Sequence, residues 1–208
     1  MKRFLSVLLV CLALCAACAM GISAAAAKKT FDPDAIKQCM LTNDTRGVTG
    51  YGHNGVLLVD ENGYGRLYSY RLGGLFRMTL TPNALQQFLK DGIPYAESKF
   101  QFDRIVAFNV PPEEGRRMYD YIETTEFMEF YRYASFFTTL IPTGDNCTTV
   151  AYKTLKAGNQ KYSFFYPFGL PNSPYYTLQL SLLFNGVPYT TYHPDGPKPV
   201  DPSVDPNQ

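Results

Sequence analysis

Two residues of this chain could form a nucleophile–base pair, Cys147 and His53. Cys147 stands in Gly144-Asp145-Asn146-Cys147-Thr148-Thr149, where the sequence predicts the start of a helix capped by Asp145. A thiol in the first turn of a helix feels the positive end of the helix dipole and the first-turn N–H groups. Both favour thiolate, the reactive form of cysteine, and the same N–H groups suit an oxyanion. Cys147, Val150, Ala151, Thr154 and Leu155 share a face by three-and-four spacing, so the thiol is expected to point into the protein.

A thiol nucleophile needs a base. His193 lies in Tyr192-His193-Pro194-Asp195, at the edge of a Pro-rich tail that is a poor place to fix an imidazole. His53 opens an apolar strand. The alternation His53, Gly55, Leu57, Val59 puts it on a buried face, with Gly52 and Gly55 leaving room beside the ring. A third group, to orient the imidazole, is expected from the neighbouring strand of the same hairpin. Ser69 is the small polar candidate there, with Tyr68 facing the other way; Asp145 and Asn146 are alternatives from the Cys147 side.

The elements that must hold these residues follow from local chemistry. Residues 1–27 read as a cleavable export signal: Lys2-Arg3, an apolar run from Phe4 to Ala19, then Ser23-Ala24-Ala25-Ala26-Ala27. The run is shorter than the roughly 20 residues that span a bilayer. Cys15 and Cys18 lack the leucine-and-small-residue approach of a lipoprotein signal. Cleavage leaves 181 residues, enough for one domain, and places the product in the periplasm, in the cell envelope or outside the cell. The whole chain has 19 Lys and Arg against 18 Asp and Glu; losing Lys2 and Arg3 leaves 17 against 18. That balance gives no reason to expect a nucleic-acid or anionic-membrane partner, and no stable membrane insertion is expected after cleavage. Of five cysteines, only Cys39 and Cys147 outlast the signal. In an exported protein, a bridge between them competes with a reactive thiol.

Asp32-Pro33-Asp34 reads as the start of a short helix through about Met40, and residues 43–52 as a loop. His53–Asp60 and Arg66–Arg71 are predicted strands around an Asn62-Gly63 hairpin turn. A short strand Leu75–Leu80 follows, then a helix Ala84–Lys90 between Thr81-Pro82-Asn83 and Gly92. Phe102–Val110 reads as a strand. Pro111-Pro112-Glu113-Glu114 starts a helix to about Phe127, with Met118, Tyr121 and Ile122 on one face. An aromatic segment, Phe130–Ile141, leads to a helix Asn146–Ala157 stopped by Gly158. Tyr162–Phe168 and Tyr175–Phe184 are strand-like, and residues 194–208 form a flexible Pro/Asp-rich tail. Mixed helices and antiparallel strands make the fold class α+β, with residues 28–193 as the working domain.

Gly52-His53-Asn54-Gly55-Val56-Leu57-Leu58-Val59-Asp60 resembles the Gly-His-x-Gly-hydrophobic strand of NlpC-like cysteine peptidases. Asn146-Cys147-Thr148-Thr149-Val150-Ala151, with Leu155 and Gly158, is similar to the Asn-Cys helix of their circularly permuted branch, in which His precedes Cys as here. Lecithin retinol acyltransferase-like proteins share that order. The Pro111-Pro112-Glu113-Glu114 helix and the Tyr-rich stretch after it are similar to exported bacterial members. The resemblance runs from about residue 50 to residue 160. It implies a permuted papain-like fold, with a central antiparallel sheet carrying the base and a helix carrying the nucleophile. It further implies Cys147 as nucleophile and His53 as general base in acyl-enzyme chemistry on an amide or ester. The family's third position is usually His, Asn, Gln or Glu, and Ser69 departs from it.

The expected function is therefore an exported cysteine hydrolase cleaving an amide, with cell-wall peptide as the substrate class. Acyl transfer or lipid-ester hydrolysis is the nearby variant. The competing expectation is a non-catalytic binding module of the same fold. No cofactor or metal is expected. Gly50-x-Gly52-x-x-Gly55 matches a dinucleotide fingerprint in letters only, since no strand precedes it and no helix follows. No zinc-ligand spacing and no Gly-x-Ser-x-Gly elbow occurs.

Overall fold

The Asn62-Gly63 turn joins two neighbouring strands of the sheet. Gly63 takes φ 82°, which a side chain would resist, and the two strands around it pair in register from Gly55↔Ser69 to Val59↔Gly65. The computed structural model describes residues 30–45, 53–71, 74–93, 101–127, 145–164 and 173–194. All but Thr30 fall in a compact unit that begins at Phe31. The export-signal residues 1–27, the aromatic segment Phe130–Ile141 and tail residues 195–208 lie outside the described residues.

Among the described residues, six strands form one antiparallel sheet: β1 (Ile36–Asp44), β2 (His53–Asp60), β3 (Gly65–Arg71), β4 (Gly74–Leu80), β5 (Arg104–Asn109) and β6 (Tyr189–Tyr192), in the order β4-β3-β2-β1-β5-β6. Four α-helices of the described residues pack on it: α1 (Pro82–Asp91), α2 (Pro112–Thr124), α3 (Cys147–Gly158) and α4 (Ser173–Phe184). The α+β class holds. Among the described residues no helix is long and apolar enough to cross a membrane.

Pleating assigns each strand's side chains to two faces. On one face Met40, Leu57, Val59, Leu67, Phe102 and Ile105 gather with Leu85 and Phe88 of α1. On the other, Cys39, Leu41, Val56, Leu58, Tyr68 and Phe108 meet Met118 and Ile122 of α2, Val150, Ala151 and Leu155 of α3, and Leu178 and Leu182 of α4. The central strands are thus apolar on both sides, and all eight residues of β2 are buried.

Several elements differ from the sequence expectation. The helix expected over Asp32–Met40 is a single 3-10 turn, Pro33–Ala35, capped by Asp32. Ile36 is already extended, and β1 runs on to Asp44 in place of the expected loop start. Pairing with both β2 and β5, and burial on both faces, outweigh the local helix signal. Tyr175–Phe184 is helical, not strand-like: Tyr175, Leu178 and Leu182 are buried at helical spacing, while Tyr176, Leu180, Leu183 and Phe184 are exposed. Gln160–Tyr162 is a 3-10 turn, and residues 165–168 lie outside the described set. A short edge strand, β6, pairs with β5 where none was expected, and Pro194 just beyond it is buried. On α2, Met118 and Ile122 are buried as expected, whereas Tyr121 is half-exposed and meets Phe127 edge-on.

Gly158 does not stop α3 by a left-handed turn; it is the last helical residue, followed by Asn159 in extended backbone. Its role is close approach. A Cβ there would stand 2.3 Å from Met118 Cε and 3.1 Å from the Glu114 carbonyl oxygen. The missing side chain lets α3 lie directly against α2.

Candidate active site

α3 starts at Cys147, and Asn146 is its cap. Asn146 Oδ1 accepts the Thr149 N–H at 2.9 Å, and Thr149 Oγ1 accepts the Asn146 N–H at 2.8 Å. This reciprocal capping box satisfies two N–H groups that the helix itself leaves unpaired and contributes on the order of 1 kcal/mol. Asp145, the expected cap, instead receives Lys153 Nζ at 2.6 Å and the Thr149 hydroxyl at 3.2 Å. Cys147 is buried, along with Val150, Ala151, Thr154 and Leu155 on the same face of the helix. Cys39 and Cys147 are both thiols and form no disulfide, so the expected alternative of a bridge between them does not hold. Burial pushes the Cys39 thiol far above the usual range and leaves it unreactive.

His53 is the first residue of β2 and is fully buried. Its Nε2 lies 2.6 Å from the Ser69 hydroxyl on β3, and its ring stands 6.2 Å from that of Phe102, at 35°. Ser69 is thus within reach of the imidazole, and Tyr68 faces the opposite side, where its hydroxyl donates to Glu123 at 2.8 Å. The space beside Gly55 is filled by strand packing: a Cβ there would meet Thr42 Oγ1 at 2.7 Å and the Tyr68 carbonyl oxygen at 2.9 Å. His193 is held by Tyr175, whose hydroxyl lies 3.3 Å from Nε2. It follows β6, three strand positions from β2, or about 14 Å at the usual strand spacing.

Thr148, next to Cys147, accepts a hydrogen bond from Asn54 Nδ2 at 3.0 Å. Asn54 is next to His53. The first turn of α3 therefore sits at the end of β2 that begins with His53. The pleat divides the two side chains, however. His53 shares its face with Leu57, Val59 and Phe102, on the α1 side of the sheet. Asn54 shares its face with Val56 and Leu58, on the α3 side. Any contact between thiol and imidazole runs around the end of β2 and not through the sheet.

The residues that the sequence reading did not single out are Asn43, Asn54 and Thr148. Asn43 Nδ2 donates to Asn54 Oδ1 at 2.9 Å across β1 and β2, and both side chains are buried. The available signal was the polar end of each strand, Thr42-Asn43-Asp44 on β1 and His53-Asn54 on β2, because a buried amide must find a partner. Among the described residues no group of three His, Cys, Asp or Glu side chains is arranged to hold a metal ion.

No family model matches this chain, and neither a curated protein nor a solved structure is significantly similar to it.

Proposed function

We propose that this chain is an exported cysteine hydrolase that cleaves an amide, with cell-wall peptide as the substrate class, through an acyl-enzyme on Cys147. The observation that carries this reading is the Asn54–Thr148 bond, which brings the capped start of α3 to the His53 end of β2. His53 takes the thiol proton, and the thiolate attacks the amide carbon. The oxyanion is held by first-turn N–H groups of α3. The C–N bond breaks, and the amine leaves with the proton from His53. Water then gives a proton to His53 as its oxygen adds to the thioester carbon; the C–S bond breaks, the acid leaves, and His53 returns the proton to the Cys147 sulfur. Another acceptor in place of water gives acyl transfer, and an ester in place of the amide gives lipid-ester hydrolysis. Export is supported by the leader-like sequence of residues 1–27, and a permuted papain-like arrangement by the order of strand, helix and motifs.

A non-catalytic binding module is the second reading, and the pleat favours it: the imidazole leaves the sheet on the face opposite α3. Alkylation of Cys147 by iodoacetamide across pH, read by mass spectrometry, separates the two. Fast labelling at neutral pH that slows in His53→Ala supports the hydrolase. Labelling no faster than that of an ordinary thiol, and indifferent to His53→Ala, supports the binding module.

A further inference from the structure

The buried polar path between sheet and thiol has a direction. Asn43 Nδ2 gives its proton to Asn54 Oδ1 at 2.9 Å. Asn54 Nδ2 gives its own to Thr148 Oγ1 at 3.0 Å. With one acceptor position of the Thr148 oxygen taken by Asn54, its hydroxyl proton can turn toward the neighbouring sulfur. Cys147 Sγ lies 4.0 Å from that oxygen. Both amide donors point from the sheet toward Thr148, and in the last contact, Thr148 to Cys147, either atom can donate. Burying two amide side chains costs free energy unless they are bonded, and these two are bonded to each other and onward to α3, at the polar end of β1 and β2 beside Thr42, Asp44 and His53. The bonded path ends beside the sulfur of Cys147.

We propose that Asn43, Asn54 and Thr148 form a directed hydrogen-bond chain that ends on Cys147 Sγ and holds it as thiolate, with Thr148 the donor to sulfur and Asn54 a positioning residue. This rests on the reading of Cys147 as nucleophile. A hydroxyl donor stabilises the anionic sulfur far more than the neutral thiol, so its presence shifts the equilibrium toward thiolate. Donors in series polarise one another and strengthen the last bond. A separation of 4.0 Å suits a neutral sulfur, and the contact tightens once the sulfur carries charge. The chain reaches the thiol from the α3 side of the sheet, whereas His53 leaves on the other. Anion stabilisation and proton removal are thereby divided between the two faces.

The test is the pH midpoint of iodoacetamide alkylation at Cys147 in the full chain. Thr148→Val removes the hydroxyl at nearly constant shape, and Asn54→Ala cuts the chain one step earlier. Each is expected to raise the midpoint by about half to one pH unit, a roughly three- to tenfold loss of thiolate at a fixed pH below it. Thr148→Ser keeps the parent midpoint. The double variant shifts no further than Thr148→Val alone, because both changes interrupt one path. A purely structural role would lower the unfolding temperature and leave the pH midpoint where it was. A folded Thr148→Val with an unmoved midpoint overturns the chain; should that variant fail to fold, Asn54→Ala gives the same reading. Fast wild-type labelling with unmoved variants overturns the chain alone, whereas an unreactive wild-type Cys147 overturns the hydrolase reading with it.

Discussion

His53 Nε2 and the Ser69 hydroxyl lie 2.6 Å apart on neighbouring strands, both buried. Removing one partner of such a pair leaves the other short of a bond that water cannot replace. Ser69→Ala is therefore expected to cost about 1–3 kcal/mol of stability, read from urea midpoints. If the imidazole also serves Cys147, the same variant slows alkylation there, though by less than His53→Ala. Undiminished stability in Ser69→Ala would show that this bond holds nothing in place.

Cys147→Ser nearly preserves the shape of the side chain at the start of α3. The capping box between Asn146 and Thr149 does not involve the sulfur. The unfolding temperature is expected to stay within about 4 °C of the parent, the equivalent of roughly 1 kcal/mol in a domain of this size. Amide hydrolysis is expected to vanish. Gross unfolding of the variant would instead mark the cysteine as part of the scaffold.

Glu114 gives an acid limb to stability. Burial pushes its carboxyl up, but bonds from the Tyr162 hydroxyl, Asn159 Nδ2 and Lys161 Nζ outweigh this and hold it below its ordinary value near 4.5. The unfolded chain therefore takes up the proton first. The contribution is complete above pH 4.5 and drains away as pH falls through the lower folded value. Urea midpoints of parent and Glu114→Gln should differ most at pH 7 and converge on acidification. A gap independent of pH would mean that the carboxylate charge is not what these bonds recognise.

Gly158→Ala drives a methyl group into Met118, at 2.3 Å from Cε and 2.7 Å from Cγ. The expected cost is about 1–3 kcal/mol, the usual range for overpacking. Combining it with Met118→Ala should cost less than the sum of the two single changes, since the second makes room for the first. Strict additivity in thermal or urea unfolding would mean that α2 and α3 part instead of repacking.

What was legible in the sequence is what short stretches decide on their own. Asn62-Gly63 set a hairpin, Thr81 and Gly92 bounded α1, and Pro111-Pro112 opened α2. β1 was not legible: Asp32-Pro33 does begin a turn, but two partner strands then claim Ile36–Asp44. α4 alternates polar and apolar through Thr177-Leu178-Gln179-Leu180-Ser181-Leu182, a period of two that reads as strand, yet the segment is helical. At the site, a cap before Cys147 was expected one residue early, because Asp145 and Asn146 are both good cap formers. His53, Gly55 and Leu57 share one face of β2, whereas Asn54, the residue that reaches α3, lies on the other.

Cys39 gives the protein an internal clock. It sits on β1, in the middle of the sheet, fully buried, with a thiol that burial keeps protonated. Reagent reaches it only when the central strands come apart, an opening that draws on the full stability of the domain. In one alkylation experiment, Cys147 then counts chemistry at the helix start while Cys39 counts global opening. A variant that slows the first count and leaves the second unchanged has lost reactivity without losing structure. The distinction needs no engineered probe, only two peptides from one digest.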